Sequence, residues 1–262
     1  MDEIQKAKFR ELEAAGYLNG IREFAMARSA PFFWSAQMEG PNPRLLRNGT
    51  ITYVATGQQE LGVTNAHVYD TYIEHRAEHG DDCEAQFGGN TIYPEQRLID
   101  RHKELDLTTL NVPKVFLDSG KGEWKQHNRP ASWPPAPLKD GELVIYGGYP
   151  GALREPKTGE ITMPFQSFTT WKPQVTASNI ILHVDFPNLF WPGHEEKRMN
   201  EDLSGISGGP VFRLNEISDP ETGAILKVSF ELVGIIYEYS TMMDSVLARP
   251  IHHVLSDGQL KP

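Results

Sequence analysis

The chain has 262 residues, of which 39% are hydrophobic and 23% charged, the balance of a globular protein with a sizeable core. Its net charge of −10 argues against a nucleic-acid groove or an anionic membrane surface as its partner, and no apolar run reaches the ~20 residues that span a bilayer. One cysteine, Cys83, excludes a disulfide within the chain. Together with the lack of an apolar signal segment over Met1–Lys6, this leads to the expectation of a cytoplasmic protein in a reducing compartment.

Residues 2–28 read as helix, with Asp2 as cap, Phe9, Leu12, Leu18, Ile21 and Phe24 recurring on one side, and Gly16 and Gly20 splitting it into two. Pro31-Phe32-Phe33-Trp34 is an aromatic knot expected to dock this segment, and Pro41-Asn42-Pro43 reads as a linker. Residues 1–45 are therefore taken as an N-terminal helical extension, a candidate for contact with a regulatory partner, and 46–262 as the main domain. Thr50–Ala55 alternates with period two, Gln58–Glu60 turns the chain, and Leu61–Asn65 returns as a second strand. A short helix is predicted over 69–79, an acidic loop over 80–90 with Cys83 as a bystander, and a strand over 96–99. Residues 118–140 hold Pro130, Pro134, Pro135 and Pro137 and read as a crossing between two halves. Beyond it the second half opens with Gly141–Gly151, and strands are predicted near 160–170, 180–185, 211–212, 226–230, 232–237 and 246–251. A long loop lies between 187 and 204, and 252–262 form a terminal helix or tail.

Three short blocks carry chemistry. In Gly205-Ile206-Ser207-Gly208-Gly209-Pro210-Val211 a serine stands between glycines, which free the backbone and leave room beside the hydroxyl. Gly62-Val63-Thr64-Asn65-Ala66-His67 ends a β-branched run on a histidine, and Leu105-Asp106-Leu107-Thr108-Thr109-Leu110 opens an apolar alternation on an aspartate. A serine hydroxyl is a weak nucleophile that needs a base within hydrogen-bond reach, and histidine titrates in the right range to be one.

These blocks, in the order His, Asp, Ser, resemble the signatures of the trypsin-like, or chymotrypsin-fold, serine proteases. Gly141–Gly151 and Leu232–Tyr237 resemble two looser segments of the same family, particularly its bacterial intracellular members and the catalytic domains of heat-shock serine proteases. The resemblance implies an all-β fold of two six-stranded antiparallel barrels. It implies a serine endopeptidase with His67 as general base, Asp106 orienting it, Ser207 as nucleophile, and the N–H groups of Gly205 and Ser207 as oxyanion hole. It implies a protein or peptide substrate and no cofactor or metal. The candidate substrate-binding residues are Glu201, Asp202, Tyr237, Tyr239 and Arg249. Acidic residues at 201 and 202 favour Arg or Lys before the scissile bond, whereas Arg249 pointing inward reverses that preference. Ile206 stands where digestive enzymes have the aspartate that pairs with a new N-terminus, so no activation by N-terminal cleavage is expected. The serine that supports the triad aspartate in trypsin falls near Tyr237, so Asp106 is expected to be held differently. The alternatives are a catalytically silent scaffold acting as a regulated binding module, and a hydrolase of small esters or amides.

Overall fold

Thr50, Ile51, Thr52, Tyr53 and Val54 are all fully buried. Successive side chains of a strand point to opposite faces, so this strand has packed protein on both sides. Ile51 and Tyr53 enter one hydrophobic cluster with Phe32, Trp34, Tyr72, Phe87 and Leu110. Val54 joins a second, with Leu61, Val63, Leu107, Tyr149, Phe212 and Ile235. A third holds Tyr146, Phe168, Ile180, Val211, Ile236 and Val246. The first and third fill the two halves of the molecule, and the second lies between them.

The computed structural model describes residues 16–37, 44–114, 126–157, 160–170, 173–184, 202–218 and 225–262. Among them helix α1 spans Tyr17–Met26 and α2 Ala66–His79. The first sheet contains β1 (Ser29–Gln37), β2 (Arg44–Ala55), β3 (Glu60–Thr64), β4 (Cys83–Phe87), β5 (Asn90–Ile92), β6 (Leu98–His102) and β7 (Leu107–Asn111). The second contains β8 (Val144–Gly148), β11 (Gln166–Thr170), β12 (Gln174–Val175), β13 (Ile180–His183), β14 (Pro210–Ser218), β15 (Ile225–Ser240) and β16 (Ser245–Pro250). A separate hairpin pairs β9 (Glu155–Lys157) with β10 (Glu160–Thr162).

Both sheets are antiparallel and seven-stranded, in the orders β5-β4-β1-β2-β3-β7-β6 and β11-β8-β14-β15-β16-β13-β12. The three-residue β5 and two-residue β12 are short additions, which accounts for seven strands where six were expected. With the six main strands of each sheet lettered a to f in chain order, the neighbours come from one cycle, a-b-c-f-e-d. The first sheet is open between d and e, the second between b and c. Two curled sheets with one shared cyclic order are the expected chymotrypsin-like pair of barrels, each left open at one contact.

Several local expectations are corrected. Pro31–Trp34 is not a knot at the end of a helical arm but the middle of β1, paired with β2 on one side and β4 on the other. Helix α1 runs through Gly20 unbroken, and Phe24 packs edge-on against Phe212 with ring centroids 5.2 Å apart. The acidic stretch after residue 80 forms β4, with Cys83, Ala85 and Phe87 facing inward. Burial, more than acidic neighbours, raises the Cys83 thiol pKa. The C-terminal stretch is a short 3-10 turn, Ile251–His253, followed by a Val254–Leu260 bridge. Residues 1–15, the 41–43 linker, the start of the 118–140 crossing and nearly all of the 187–204 loop lie outside the described residues. No described helix is long and apolar enough to cross a membrane.

The two halves meet where β2 faces the loop before β14. Thr50 N–H donates to Ser207 O at 2.7 Å, Thr50 Oγ1 to Gly205 O at 2.8 Å, and Thr52 Oγ1 to Gly208 O at 2.8 Å. Gly208 has φ +90, and a Cβ there would overlap the Thr50 carbonyl oxygen, so only glycine fits this contact.

Two substitutions test this account. Phe32→Ala should cost about 3–5 kcal/mol in urea unfolding, as expected for a buried aromatic; a loss within experimental error would return β1 to the status of a detachable arm. Thr50→Val keeps shape but leaves Gly205 O and Tyr149 N without their hydroxyl partner, so a loss of about 1–3 kcal/mol is expected in the same measurement.

Candidate active site

Strand β3 ends at Thr64, Asn65 turns in extended conformation, and α2 begins at Ala66. His67 thus sits in the first turn of a helix, where backbone N–H groups lack intrahelical acceptors. Asp106, in the turn between β6 and β7, supplies one: its Oδ1 accepts the His67 N–H at 2.9 Å. Its Oδ2 lies 2.7 Å from His67 Nδ1. An ionised carboxylate only accepts, so Nδ1 carries the proton and Nε2 is left as an acceptor facing the cleft. The positive end of α2 further favours a carboxylate at this place.

Asp106 takes a left-handed backbone, φ 52, which aspartate tolerates better than most residues. The turn is tied by Asp106 N–H to Lys103 O at 3.1 Å and Leu105 N–H to His102 Nδ1 at 3.2 Å. Asn65 Nδ2 donates to Asp106 O at 2.8 Å, and the Asn65 side chain makes no capping bond to α2. Asn65 was not singled out from the sequence as a site residue; its place beside Ala66-His67 was the available signal.

Ser207 stands in the turn before β14. Its hydroxyl donates to Tyr237 O at 3.4 Å, a long bond, and no hydrogen bond joins it to His67. Nucleophile–base contacts are often loose without substrate and close in the complex. Around Ser207 the backbone N–H groups divide sharply. Those of Ser204, Ile206, Gly208 and Gly209 bond to Asp202 Oδ1, Leu203 O, Ile236 O and Ile206 O. Among the described residues those of Gly205 and Ser207 have no acceptor. Ser204 O accepts from Gly151 N–H at 2.7 Å and Ile206 O from Gly209 N–H at 2.8 Å. A trans peptide turns its C=O and N–H to opposite sides, so both free N–H groups point away from these partners. Gly205 has φ +103, and a Cβ would collide with Asn48 and Tyr149 O.

His67, Asp106 and Ser207 line one cleft of about 650 Å³ with Asp202, Leu203, Ser204, Ile206, Tyr237, Glu238, Tyr239 and Thr241. Three of the expected substrate-binding residues, Asp202, Tyr237 and Tyr239, are therefore brought to it. The hydroxyl and N–H of Ser204 hold the Asp202 carboxyl below its usual pKa range. Burial chiefly raises the Tyr237 phenol, which donates to Asn179 Oδ1 at 3.1 Å. Glu201 lies outside the described residues. Arg249 was expected to bind substrate but is not among the described residues that line the cleft; its Nε donates to Leu105 O at 2.8 Å and its guanidinium stacks 4.3 Å from the centre of the Tyr237 ring. Glu238 and Thr241 also line the cleft and were not expected from the sequence; the β15–β16 register shifts between Ile236 and Glu238, so strict alternation does not hold there.

No known family model matches the chain, and no curated protein matches it. Solved structures do. A Glu endopeptidase in complex with MPD is 11% identical, with TM-score 0.41 over 83% of each chain. The thermostable serine protease AL20 from an extremophilic microorganism is 13% identical, with TM-score 0.42 over 86% of this chain and 90% of that one. A chain from work on coupled folding and binding of the intrinsically disordered Sesbania mosaic virus VPg protein is 11% identical, with TM-score 0.40 over 87% and 94%. Likenesses this distant say nothing about activity, so any functional reading rests on the geometry of the cleft.

Proposed function

We propose that the chain is a serine endopeptidase of chymotrypsin type. One observation supports this above the others: a paired His67–Asp106 shares a cleft with a serine that is flanked by the two acceptor-less N–H groups of its loop. Ser207 Oγ attacks the scissile carbonyl carbon while His67 Nε2 takes the hydroxyl proton. The oxyanion lies on the N–H groups of Gly205 and Ser207, each such donor contributing about 2.7–4 kcal/mol. Asp106 keeps the imidazole tautomer and stabilises the imidazolium. Collapse breaks the C–N bond, and the proton passes from His67 to the leaving amine. Water then attacks the acyl-enzyme with His67 again as base, releasing a carboxylate product and free Ser207.

The described walls of the cleft include Asp202 and Glu238 and no lysine or arginine, and Arg249 is engaged elsewhere. The reading is therefore a preference for Arg or Lys in the substrate, Asp202 being the recognising carboxylate. A protein substrate in a reducing compartment fits a chain with one buried cysteine.

Labelling with a fluorophosphonate probe tests the nucleophile. The wild type should label and Ser207→Ala should not, and Asp106→Asn should react about 10⁴-fold more slowly. A folded wild type that fails to label would favour the silent binding scaffold. Cleavage of a peptide library tests the preference: products ending in Arg or Lys are expected, and Asp202→Asn should lower kcat/KM for these selectively. Cleavage after acidic residues would refute it.

A further inference from the structure

Arg249 is a strand residue outside the described lining of the cleft, and the peptidase reading gives it no part. Its guanidinium makes four hydrogen bonds to two separate turns. On the turn before Asp106, Nε donates to Leu105 O at 2.8 Å and Nη2 to Glu104 O at 3.3 Å. On the turn between β12 and β13, Nη1 donates to Ser178 O at 3.0 Å and to Asn179 Oδ1 at 2.6 Å. One face stacks on Tyr237, whose hydroxyl bonds the same Asn179 oxygen and whose carbonyl accepts the Ser207 hydroxyl.

We infer that Arg249 is the positioning residue for the His67–Asp106 pair, holding the Asp106 turn in register with the nucleophile. The inference rests on the peptidase reading for its catalytic consequence. Its physical basis is that the two carbonyls it grips belong to the residues immediately before Asp106, whose backbone is left-handed and needs outside support. Arg249 belongs to the second sheet and the Asp106 turn to the first, so the grip fixes the aspartate relative to the half that bears Ser207. A planar fork with several fixed donors and a stacking face suits this task; a lysine supplies a point charge and cannot make all the contacts at once. Arg249 is not among the described residues that line the cleft.

Arg249→Met removes the fork and the charge, and Arg249→Lys keeps the charge. Two readouts are taken on full-length protein whose fold is checked by near-UV circular dichroism. The first is the pair of His67 ring-nitrogen shifts from long-range ¹H–¹⁵N correlation above the imidazole titration. Wild type should show Nδ1 protonated, and both variants a mixture of tautomers. The second separates the inactivation rate constant of the fluorophosphonate probe from its binding constant. The rate constant should fall by roughly 10²-fold in Arg249→Met, the order expected when catalytic groups are misplaced by about 1 Å, with binding unchanged. Arg249→Lys should remain impaired. If the Met variant does not fold, the Lys variant decides.

A wild-type ring already divided between tautomers, or shifts unchanged in the folded variants, overturns the inference. So does full activity in Arg249→Lys, or a change confined to the binding constant, which would make Arg249 a substrate contact. A wild type that never labels but whose tautomer shifts in the variants as described refutes the peptidase reading alone and leaves the positioning role standing.

Discussion

The carbonyl oxygens of Gly205, Ser207 and Gly208 are all bonded by Thr50 and Thr52. Much else in the molecule depends on this contact. The loop with the candidate nucleophile belongs by sequence to the second sheet, yet these three carbonyls are held by the first. Threonine suits the task because its β-branched side chain is stiff at χ1 and at home in a strand. A hydroxyl held at one rotamer is a donor of defined direction. Thr64 adds a further layer, its hydroxyl donating to Thr50 O at 2.7 Å, so the gripping strand is itself held. With one cysteine in the chain, this work falls to buried hydrogen bonds, and each is expensive to leave unmade.

A second tie runs the other way. Arg249, on β16 of the second sheet, reaches the carbonyls of Glu104 and Leu105 in the first. Each half therefore holds the chemistry-bearing turn of the other. A slide of one sheet against the other would stretch both sets of bonds. The acceptor-less N–H groups of Gly205 and Ser207 are set within the second half, where Gly209 N–H holds the Ile206 carbonyl. Gly151 N–H, also at the junction, pins the Ser204 carbonyl, and the peptide has no low-cost way to turn its N–H inward.

What the sequence made legible was local. Ser207, His67 and Asp106 each lie in short blocks whose residue types state a backbone need, and the hairpin of β2 and β3 shows plain alternation. What it hid were elements whose pattern is set from outside. Phe32, Phe33 and Trp34 lie in a strand flanked on both edges by other strands, and an unbroken apolar run looks the same whether it docks a helix or fills a sheet. In β4 the alternation was present, Cys83, Ala85 and Phe87 inward against Glu84 and Gln86, but nearby acids suggested a loop. Arg249 shows the remaining gap. Its strand position was legible, while the direction of a long flexible side chain depends on acceptors 144 residues away.

Tyr237 links these threads. Its side chain gives Asp106 no hydrogen bond. Its hydroxyl goes to Asn179 and its ring becomes a platform for Arg249. Arg249 in turn reaches the backbone immediately before the aspartate. Among the described residues both carboxylate oxygens are engaged by His67, through its N–H and its Nδ1. The pair forms a closed two-point contact, oriented from behind by a cation that touches neither partner.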